Sequence, residues 1–198
     1  MLVCKRFQLL VAVILVSAAS SAMHAADLKL PVPESWRTED TTYPPPWARD
    51  LPWNGPIHLR FPPGFFKADD DFFWSYPILY QLQGDAIKGV NALNRALSSY
   101  DAGLYGGQFE KAKIRLEIMK VKSNVRGYSR QHVTLKGFDP FVTKKPLTTY
   151  LDIYRRYDKE SDKTVVLILR SPHPIADQDA DKDAVLKQLD EFLGVIRK

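Results

Sequence analysis

Two carboxylates and one imidazole are the side chains of this sequence best suited to chemistry. Glu117, His132 and Asp152 lie in three stretches whose apolar and polar residues alternate as in β-strands. If these strands pair as neighbours, the three side chains meet on one face of a sheet, where they could bind a metal ion or hold a general base. The competing interpretation is a solvated sheet face, on which cross-strand charge pairs contribute about 0.2–1 kcal/mol each.

The apolar pattern predicts how these strands pair. A turn centred near residue 124 keeps the apolar side chains of both flanking strands on the same face. This register places Glu117 opposite His132, and the next strand brings Tyr150 or Asp152 beside His132. The predicted polar face consists of Glu117, Tyr128, Arg130, His132, Tyr150, Asp152, Tyr154 and Arg156. Because Tyr and Arg are frequent in interfaces, this face could instead bind a polar or anionic partner.

Three adjacent carboxylates, Asp69, Asp70 and Asp71, lie between two aromatic stretches, RFPPGFF and FFWSY. They cannot all point at one cation from an extended chain, because neighbouring side chains point to opposite sides. A calcium ion would also need further oxygen ligands from elsewhere, whereas Asp is common in turns. We therefore expect the acids to form a polar turn between two strands, and the aromatic residues to belong to the core rather than to a pocket.

Several classes of chemistry are excluded by residues and motifs that the sequence lacks. Cys4 is the only cysteine, and it precedes the apolar run of an N-terminal signal, so the mature chain has no thiol nucleophile, redox pair or thiolate metal site. The sequence also lacks the glycine-rich phosphate-binding, nucleophile-elbow, zinc-protease and EF-hand motifs. We therefore predict no cofactor and no metal ion, and we assign no catalytic residue.

The N-terminus has the pattern of a secretory signal peptide over residues 1–25, with cleavage near residues 22–26. The apolar run LLVAVILV is too short to span a bilayer, and no later stretch approaches the ~20 apolar residues of a transmembrane helix. An uncleaved membrane anchor is the alternative. Cleavage would remove Lys5 and Arg6 and lower the formal net charge from +5 to +3. Since no basic run exists, no nucleic-acid partner is predicted, and the protein is expected in the periplasm or outside the cell.

Residues 26–56 form a segment rich in proline and tryptophan. This segment should be extended, because each proline restricts both its own φ and the conformation of the residue before it. One interpretation is a docking arm for a partner, since extended proline-rich segments are ready-made ligands. The other is an arm that packs on its own domain through Trp36, Trp47 and Trp53. Residues 57–198 then form a single domain.

The pattern of residues 57–198 predicts an α+β fold of order ββαββββα, with a largely antiparallel sheet of about six strands and two helices. Asp85 is a candidate N-cap for the first helix, and an apolar stripe from Val185 to Ile196 marks the second. The uninterrupted run TVVLIL predicts a central strand that is covered on both faces, whereas Pro77 indicates an edge position or a bulge for its strand. This element order is similar to that of the Mog1/PsbP type of α+β sandwich.

The stretch RFPPGFF, followed by FFWSYPILYQLQG, resembles a group of uncharacterised exported bacterial proteins. These proteins carry an R-F-x-P-G-hydrophobic stretch followed by an F-W-S-Y strand. The resemblance covers about residues 47–198, and it implies no activity, cofactor or catalytic residue.

Export together with the lack of a catalytic motif indicates a function in binding. We expect a soluble protein of the bacterial envelope that binds an unknown protein or envelope component. The first alternative is a hydrolase or metal-dependent enzyme centred on His132. The second is a periplasmic inhibitor or immunity-type protein that blocks a partner.

Overall fold

The apolar runs of the chain form seven strands and one helix in the computed structural model, which describes residues 30, 32–105, 115–125 and 127–174. The strands are β1 (Arg37–Tyr43), β2 (Gly55–Phe61), β3 (Tyr76–Gln83), β4 (Arg115–Val125), β5 (Tyr128–Phe138), β6 (Pro146–Asp158) and β7 (Lys163–Ser171). The helix, α1 (Gly89–Tyr105), lies between β3 and β4 in the chain. All neighbouring strands are antiparallel, and their order across the sheet is β1-β2-β3-β7-β6-β5-β4.

The predicted α+β fold with about six strands and two helices, and with it the Mog1/PsbP-like element order, is wrong. The described residues form one seven-stranded antiparallel sheet with a single helix, which is a mainly β fold. The additional strand is β1, which comes from the proline-rich segment and pairs along its whole length with β2. β1 itself contains no proline, so its backbone can complete this ladder. The helix predicted from Val185 to Ile196 lies outside the described residues.

Two local predictions for strands have different outcomes. The central position predicted for TVVLIL is confirmed, because this run forms most of β7, which lies between β3 and β6. The edge position, one of the two predicted for Pro77, is wrong, because β3 lies between β2 and β7. A proline is compatible with this interior strand because the described pairing of β3 with β2 stops at Ile78.

The first helix begins later than its sequence pattern indicates. α1 starts at Gly89, four residues after the predicted N-cap Asp85. The carboxylate of Asp85 instead pairs with Lys88 and with Arg155 of β6, so it ties the connection before α1 to the sheet. Ile87 in this connection has a φ of 51°, which is a helix-breaking conformation for a β-branched residue.

Both faces of the sheet are partly covered. The inner face, on which α1 lies, carries the larger core, including Ile57, Ile78 and Ile168. The opposite face, or outer face, carries a smaller cluster that includes side chains from before β1. This cluster consists of Leu30, Trp36, Leu79, Tyr128, Tyr154, Leu167 and Leu169. The outer face of β5 and β6 is therefore partly a second core.

Candidate functional site

A cavity of about 250 Å³ opens on the inner face between the β1–β2 end of the sheet, α1 and two loops. Aromatic side chains make up most of its wall: Trp47, Phe61, Phe65, Phe66, Tyr76, Tyr100 and Phe141. Leu59 and Leu104 complete the apolar lining, and Arg37 and Glu39 supply its charged groups. The cavity therefore has the composition of a site for a largely apolar ligand.

The stretch RFPPGFF supplies one wall of this cavity because the chain turns back directly after β2. The amide of Phe65 donates a hydrogen bond of 3.0 Å to the carbonyl of Pro62, which closes the turn. The turn buries Phe65 and leaves Phe66 exposed at the mouth. Phe61 at the end of β2 stacks on Tyr76 at the start of β3, with ring centroids 5.2 Å apart. These aromatic residues were expected to belong to the core rather than to a pocket. In the structure they contribute to the core and also line the cavity.

Three large aromatic side chains remain exposed at the mouth of the cavity. Trp47, Phe66 and Phe141 are 42%, 47% and 45% exposed, although large apolar side chains are usually buried. Trp47 lies against α1 at Gly103, where a Cβ atom would come within 1.8 Å of the indole. A glycine at this position is what allows the indole to approach the helix and reach the cavity.

Phe141 reaches the mouth from a loop that is organised by one buried carboxylate. Asp139 accepts hydrogen bonds from the backbone amides of Phe141, Val142 and Thr143 and from the hydroxyl of Thr143. Burial disfavours the charged form of Asp139, but these hydrogen bonds outweigh it and hold the pKa of the carboxyl below its ordinary value of 3.8. Ionised Asp139 thus positions one wall of the cavity mouth.

Acidification is expected to loosen this loop. Because the pKa of Asp139 is lowered in the folded protein, its stabilising contribution is complete above the unfolded pKa of about 3.9 and is lost as the pH falls through the folded value. Hydrogen exchange at the amides of Phe141, Val142 and Thr143 measures the change. Asp139→Asn mimics the protonated group and should exchange faster already at pH 7. Equal exchange in both proteins at pH 7 would contradict this role.

Trp74 lies behind the cavity wall in a conformation that few tryptophans adopt. Its φ is 54°, in the left-handed region that costs a bulky residue energy, and its side chain is buried. Its ring stacks on Phe141 at 5.7 Å between centroids and lies 5.2 Å from the guanidinium carbon of Arg170. Trp74 therefore connects the mouth of the cavity to the interior of the domain.

A buried ion pair lies beneath this tryptophan. Arg170 of β7 donates a hydrogen bond of 2.6 Å to Asp101 of α1, and the two residues are 1% and 0% exposed. Tyr105 also donates to Asp101, and Arg170 donates to the hydroxyl of Tyr76, which lines the cavity. Among the described residues, Arg170 Nε, Asp101 Oδ2 and Trp74 Nε1 have no hydrogen-bond partner. A buried polar atom without a hydrogen-bond partner typically costs about 1–3 kcal/mol, so burial of this ion pair is only partly compensated by its hydrogen bonds.

The tyrosine hydroxyls of the cavity are held in their neutral form. Burial raises the pKa of Tyr76 and raises that of Tyr100 well above its ordinary value of 10. Both hydroxyls are therefore poor nucleophiles and bases. The lining of the cavity is suited to binding rather than to acid–base chemistry.

The constellation predicted around His132 is only partly assembled. The predicted register between β4 and β5 is wrong: Glu117 lies opposite Thr134, and His132 lies opposite Met119. The turn occurs about two residues later than predicted, which by itself would change each partner by four residues. An irregularity between Lys120 and Asn124 reverses part of this change, so the net shift is about two residues. A shift by an even number of residues keeps every side chain on its face but changes its partner.

The displaced carboxylate of Glu117 lies apart from the histidine. It is exposed and pairs with Lys136 at 3.4 Å. Within the described part of the chain, no group of three or more His, Cys, Asp or Glu side chains is arranged to hold a metal ion.

Asp152 is the centre of the polar cluster that does form on the outer face. Its carboxylate is 1% exposed and accepts hydrogen bonds from Arg130 at 2.6–3.0 Å and from Tyr154 at 2.7 Å. His132 Nδ1 lies 3.3 Å from the same carboxylate. Arg130 also lies over the ring of Tyr154. The carboxylate is thus committed to Arg130 and Tyr154, which makes it a structural partner rather than a free base.

The remaining predicted site residues lie on the same face but outside this cluster. Arg156 lies over the ring of Tyr128, with its guanidinium carbon 5.7 Å from the ring centroid. Tyr150 lies on β6 opposite Thr134 of β5 and is half-buried. The predicted polar face therefore contains separate pairs and one cluster.

The acid triplet forms a turn, as its spacing indicates. Asp70 accepts a hydrogen bond of 2.9 Å from the amide of Phe72, which closes an Asx-type turn. Asp69, Asp70 and Asp71 line a separate shallow concavity together with Gly64. A Cβ atom on Gly64 would overlap the Asp70 carboxylate, so a larger residue here would displace that side chain.

Sequence analysis missed the residues at the base of the cavity, although one signal was present. Asp101 follows Leu97 by four residues and therefore lies on the apolar stripe of α1, where a charged residue requires a partner. Arg170 directly follows the apolar run of β7. An acidic residue on the apolar stripe of a helix and a basic residue at the end of an apolar strand together could have indicated a buried ion pair.

Comparison with known proteins provides no family assignment. No protein-family model matches the chain, and no curated protein or solved structure matches it significantly. In the part of the chain that the structure describes, no helix is long and apolar enough to cross a membrane.

Proposed function

We propose that this protein is exported to the bacterial envelope and acts there by binding an apolar group in the aromatic cavity. The signal-peptide pattern of residues 1–25 supports export, and the resemblance of the RFPPGFF and FFWSY stretches to exported proteins agrees with it. A binding role is supported by the cavity wall, most of which consists of aromatic and aliphatic side chains.

The observation that carries this proposal is the open cavity with its exposed aromatic rim. A cavity of about 150 Å³ accommodates benzene. The cavity of about 250 Å³ in this protein is therefore large enough for an aromatic ring with a short substituent. Trp47, Phe66 and Phe141 would lose exposed apolar surface when such a group enters, which favours binding by about 25 cal/mol for each Å² removed from water.

A catalytic role for His132 is supported less well. Its carboxylate partner Asp152 already accepts hydrogen bonds from Arg130 and Tyr154. Its second predicted partner, Glu117, pairs with Lys136 instead. These contacts leave no pair of side chains arranged as nucleophile and base around His132 within the described residues.

Filling the cavity is expected to abolish binding of small apolar probes. Leu104→Trp places a larger side chain into the lining, whereas Leu147→Trp changes another half-buried leucine of the same core that does not line the cavity. Calorimetric titration with indole, benzyl alcohol and cyclohexanol should show binding to the wild type and to Leu147→Trp. Binding to Leu104→Trp should be at least about tenfold weaker, which corresponds to about 1.4 kcal/mol.

The same experiment defines the outcomes that contradict the proposal. If none of the three probes binds the wild type, or if Leu104→Trp binds as well as the wild type, the cavity is not the binding site. Export is tested by isolating the protein from fractionated cells and sequencing its N-terminus. A new terminus near residues 22–26 is expected in the periplasmic or extracellular fraction, and full-length protein in the cytoplasm would refute export.

A further inference from the structure

The charged rim of the cavity gives information about the ligand beyond its apolar group. Arg37 and Glu39 are, among the described residues, the only charged side chains that line the cavity. We infer that the ligand is zwitterionic: a free amino acid whose aromatic or large aliphatic side chain enters the cavity while its ammonium and carboxylate groups meet this rim. This inference rests on the proposed function and specifies its ligand.

The two charges are arranged side by side on one strand. Arg37 and Glu39 are alternate residues of β1, so their side chains project from the same face, and both pair with residues of β2 that line the cavity, Phe61 and Leu59. The guanidinium carbon of Arg37 lies 5.8 Å from the centre of the Phe61 ring. This contact holds the positive charge directly above the aromatic wall.

The two charged groups are close to each other but form no hydrogen bond with each other. Arg37 Nη2 and Glu39 Oε2 are 3.8 Å apart, which is beyond hydrogen-bond distance. The side chains are 66% and 41% exposed, so both remain accessible from solvent. Because the Arg37 guanidinium is not hydrogen-bonded to Glu39, it can form the two parallel hydrogen bonds that a guanidinium makes with the carboxylate of a ligand.

An amino acid complements this arrangement in both charge and size. Its ammonium and carboxylate groups are joined through a single carbon, so they are adjacent in the same way as the two rim charges. Placed antiparallel to the rim, the carboxylate meets Arg37 while the ammonium meets Glu39. A ligand with one charge would meet one attractive and one repulsive group, and a ligand without charge would leave both rim groups unused. A phenylalanine-sized side chain fits the cavity of about 250 Å³.

An exposed ion pair elsewhere on the sheet shows whether the position of the rim pair at the cavity matters, rather than the presence of an ion pair alone. Lys136 and Glu117 are 3.4 Å apart and are 56% and 66% exposed, so they resemble the rim pair in distance and exposure. They do not line the aromatic cavity. If zwitterion recognition depends on the cavity, neutralising this second pair has no effect on binding, which makes it the matched control.

The test compares ligands that share a phenyl ring and differ in charge. Calorimetry at low ionic strength measures binding of L-phenylalanine, phenylacetate, phenethylamine and benzyl alcohol to the wild type. L-Phenylalanine is expected to bind at least tenfold more tightly than each of the other three. Arg37→Gln should remove its advantage over phenethylamine, and Glu39→Gln its advantage over phenylacetate. The double control Glu117→Gln with Lys136→Gln should bind all four ligands like the wild type.

Exchanging the two rim charges tests whether an effect on binding arises only because a charge has been lost. The double variant Arg37→Glu with Glu39→Arg keeps both charges at the rim, and it should bind L-phenylalanine more tightly than either single variant. If L-phenylalanine binds no better than benzyl alcohol, or if neither single rim variant changes its affinity, the inference is overturned. In that case the proposed function still holds provided that Leu104→Trp abolishes binding of the uncharged probes, whereas binding of no probe at all would refute the proposed function itself.

Discussion

Replacing Asp101 with asparagine is expected to lower the free energy of unfolding by about 3–5 kcal/mol, the usual cost of removing one partner from a buried ion pair. Asp101 and Arg170 are almost inaccessible to water, and their hydrogen bond of 2.6 Å connects α1 to β7. In the variant, the guanidinium stays charged in a site that water does not reach. Urea unfolding followed by circular dichroism measures the change, and equal m-values for both proteins would support comparison of the two free energies.

A double variant separates the charge effect from loss of packing. Asp101→Leu combined with Arg170→Met removes both charges and keeps apolar volume in the site. Because no uncompensated charge remains, this protein should be more stable than either single variant. A double variant that loses as much stability as the two single variants together would show that the pair does not act as a unit. A loss below about 1 kcal/mol in Asp101→Asn would contradict the burial of the pair.

Replacing Asp152 with asparagine is expected to cost about 2–3 kcal/mol of unfolding free energy. The buried carboxylate accepts hydrogen bonds from Arg130 and Tyr154, and an amide can replace only some of them. The effect is smaller than for Asp101 because the side chain of Arg130 is 13% exposed and can regain water. Chemical denaturation measures this loss.

His132→Ala is the control for this cluster. The His132 side chain is 21% exposed, and its nitrogen lies 3.3 Å from the carboxylate, so its removal should cost less than about 1 kcal/mol. Probe binding in the cavity should be unchanged in both variants, because the cluster lies on the outer face. A loss for His132→Ala equal to that for Asp152→Asn would show that the histidine, rather than the arginine, is the main partner.

The pairing of β4 with β5 illustrates how far the sequence pattern could be followed. Alternation of apolar residues shows which side chains share a face, and the structure places Glu117, His132 and Asp152 on one face. The pattern does not show which residues lie opposite each other, because a slip of two residues leaves the alternation intact. The turn, which lies about two residues later than predicted, and the irregularity between Lys120 and Asn124 together produce such a slip, and this slip separates Glu117 from His132.

The proline-rich segment illustrates a second limit. Prolines on both sides of β1 indicate extended backbone, but extended backbone becomes a strand only when a partner edge is available. β2 supplies that edge, and the pairing brings Arg37 and Glu39 to the cavity. The cavity rim therefore depends on a pairing that the composition of the segment does not predict.

By itself, the sequence determined the central position of TVVLIL and the turn formed by the acid triplet, because these follow from local periodicity and turn residues. The tertiary structure alone decided that RFPPGFF lines a cavity, that Asp101 meets Arg170 and that β1 joins the sheet. Each of these depends on residues far apart in the chain, such as Asp101 and Arg170, whose sequence numbers differ by 69. Periodicity shows which side chains are buried, but only the packing of α1 on the sheet determines which of them meet.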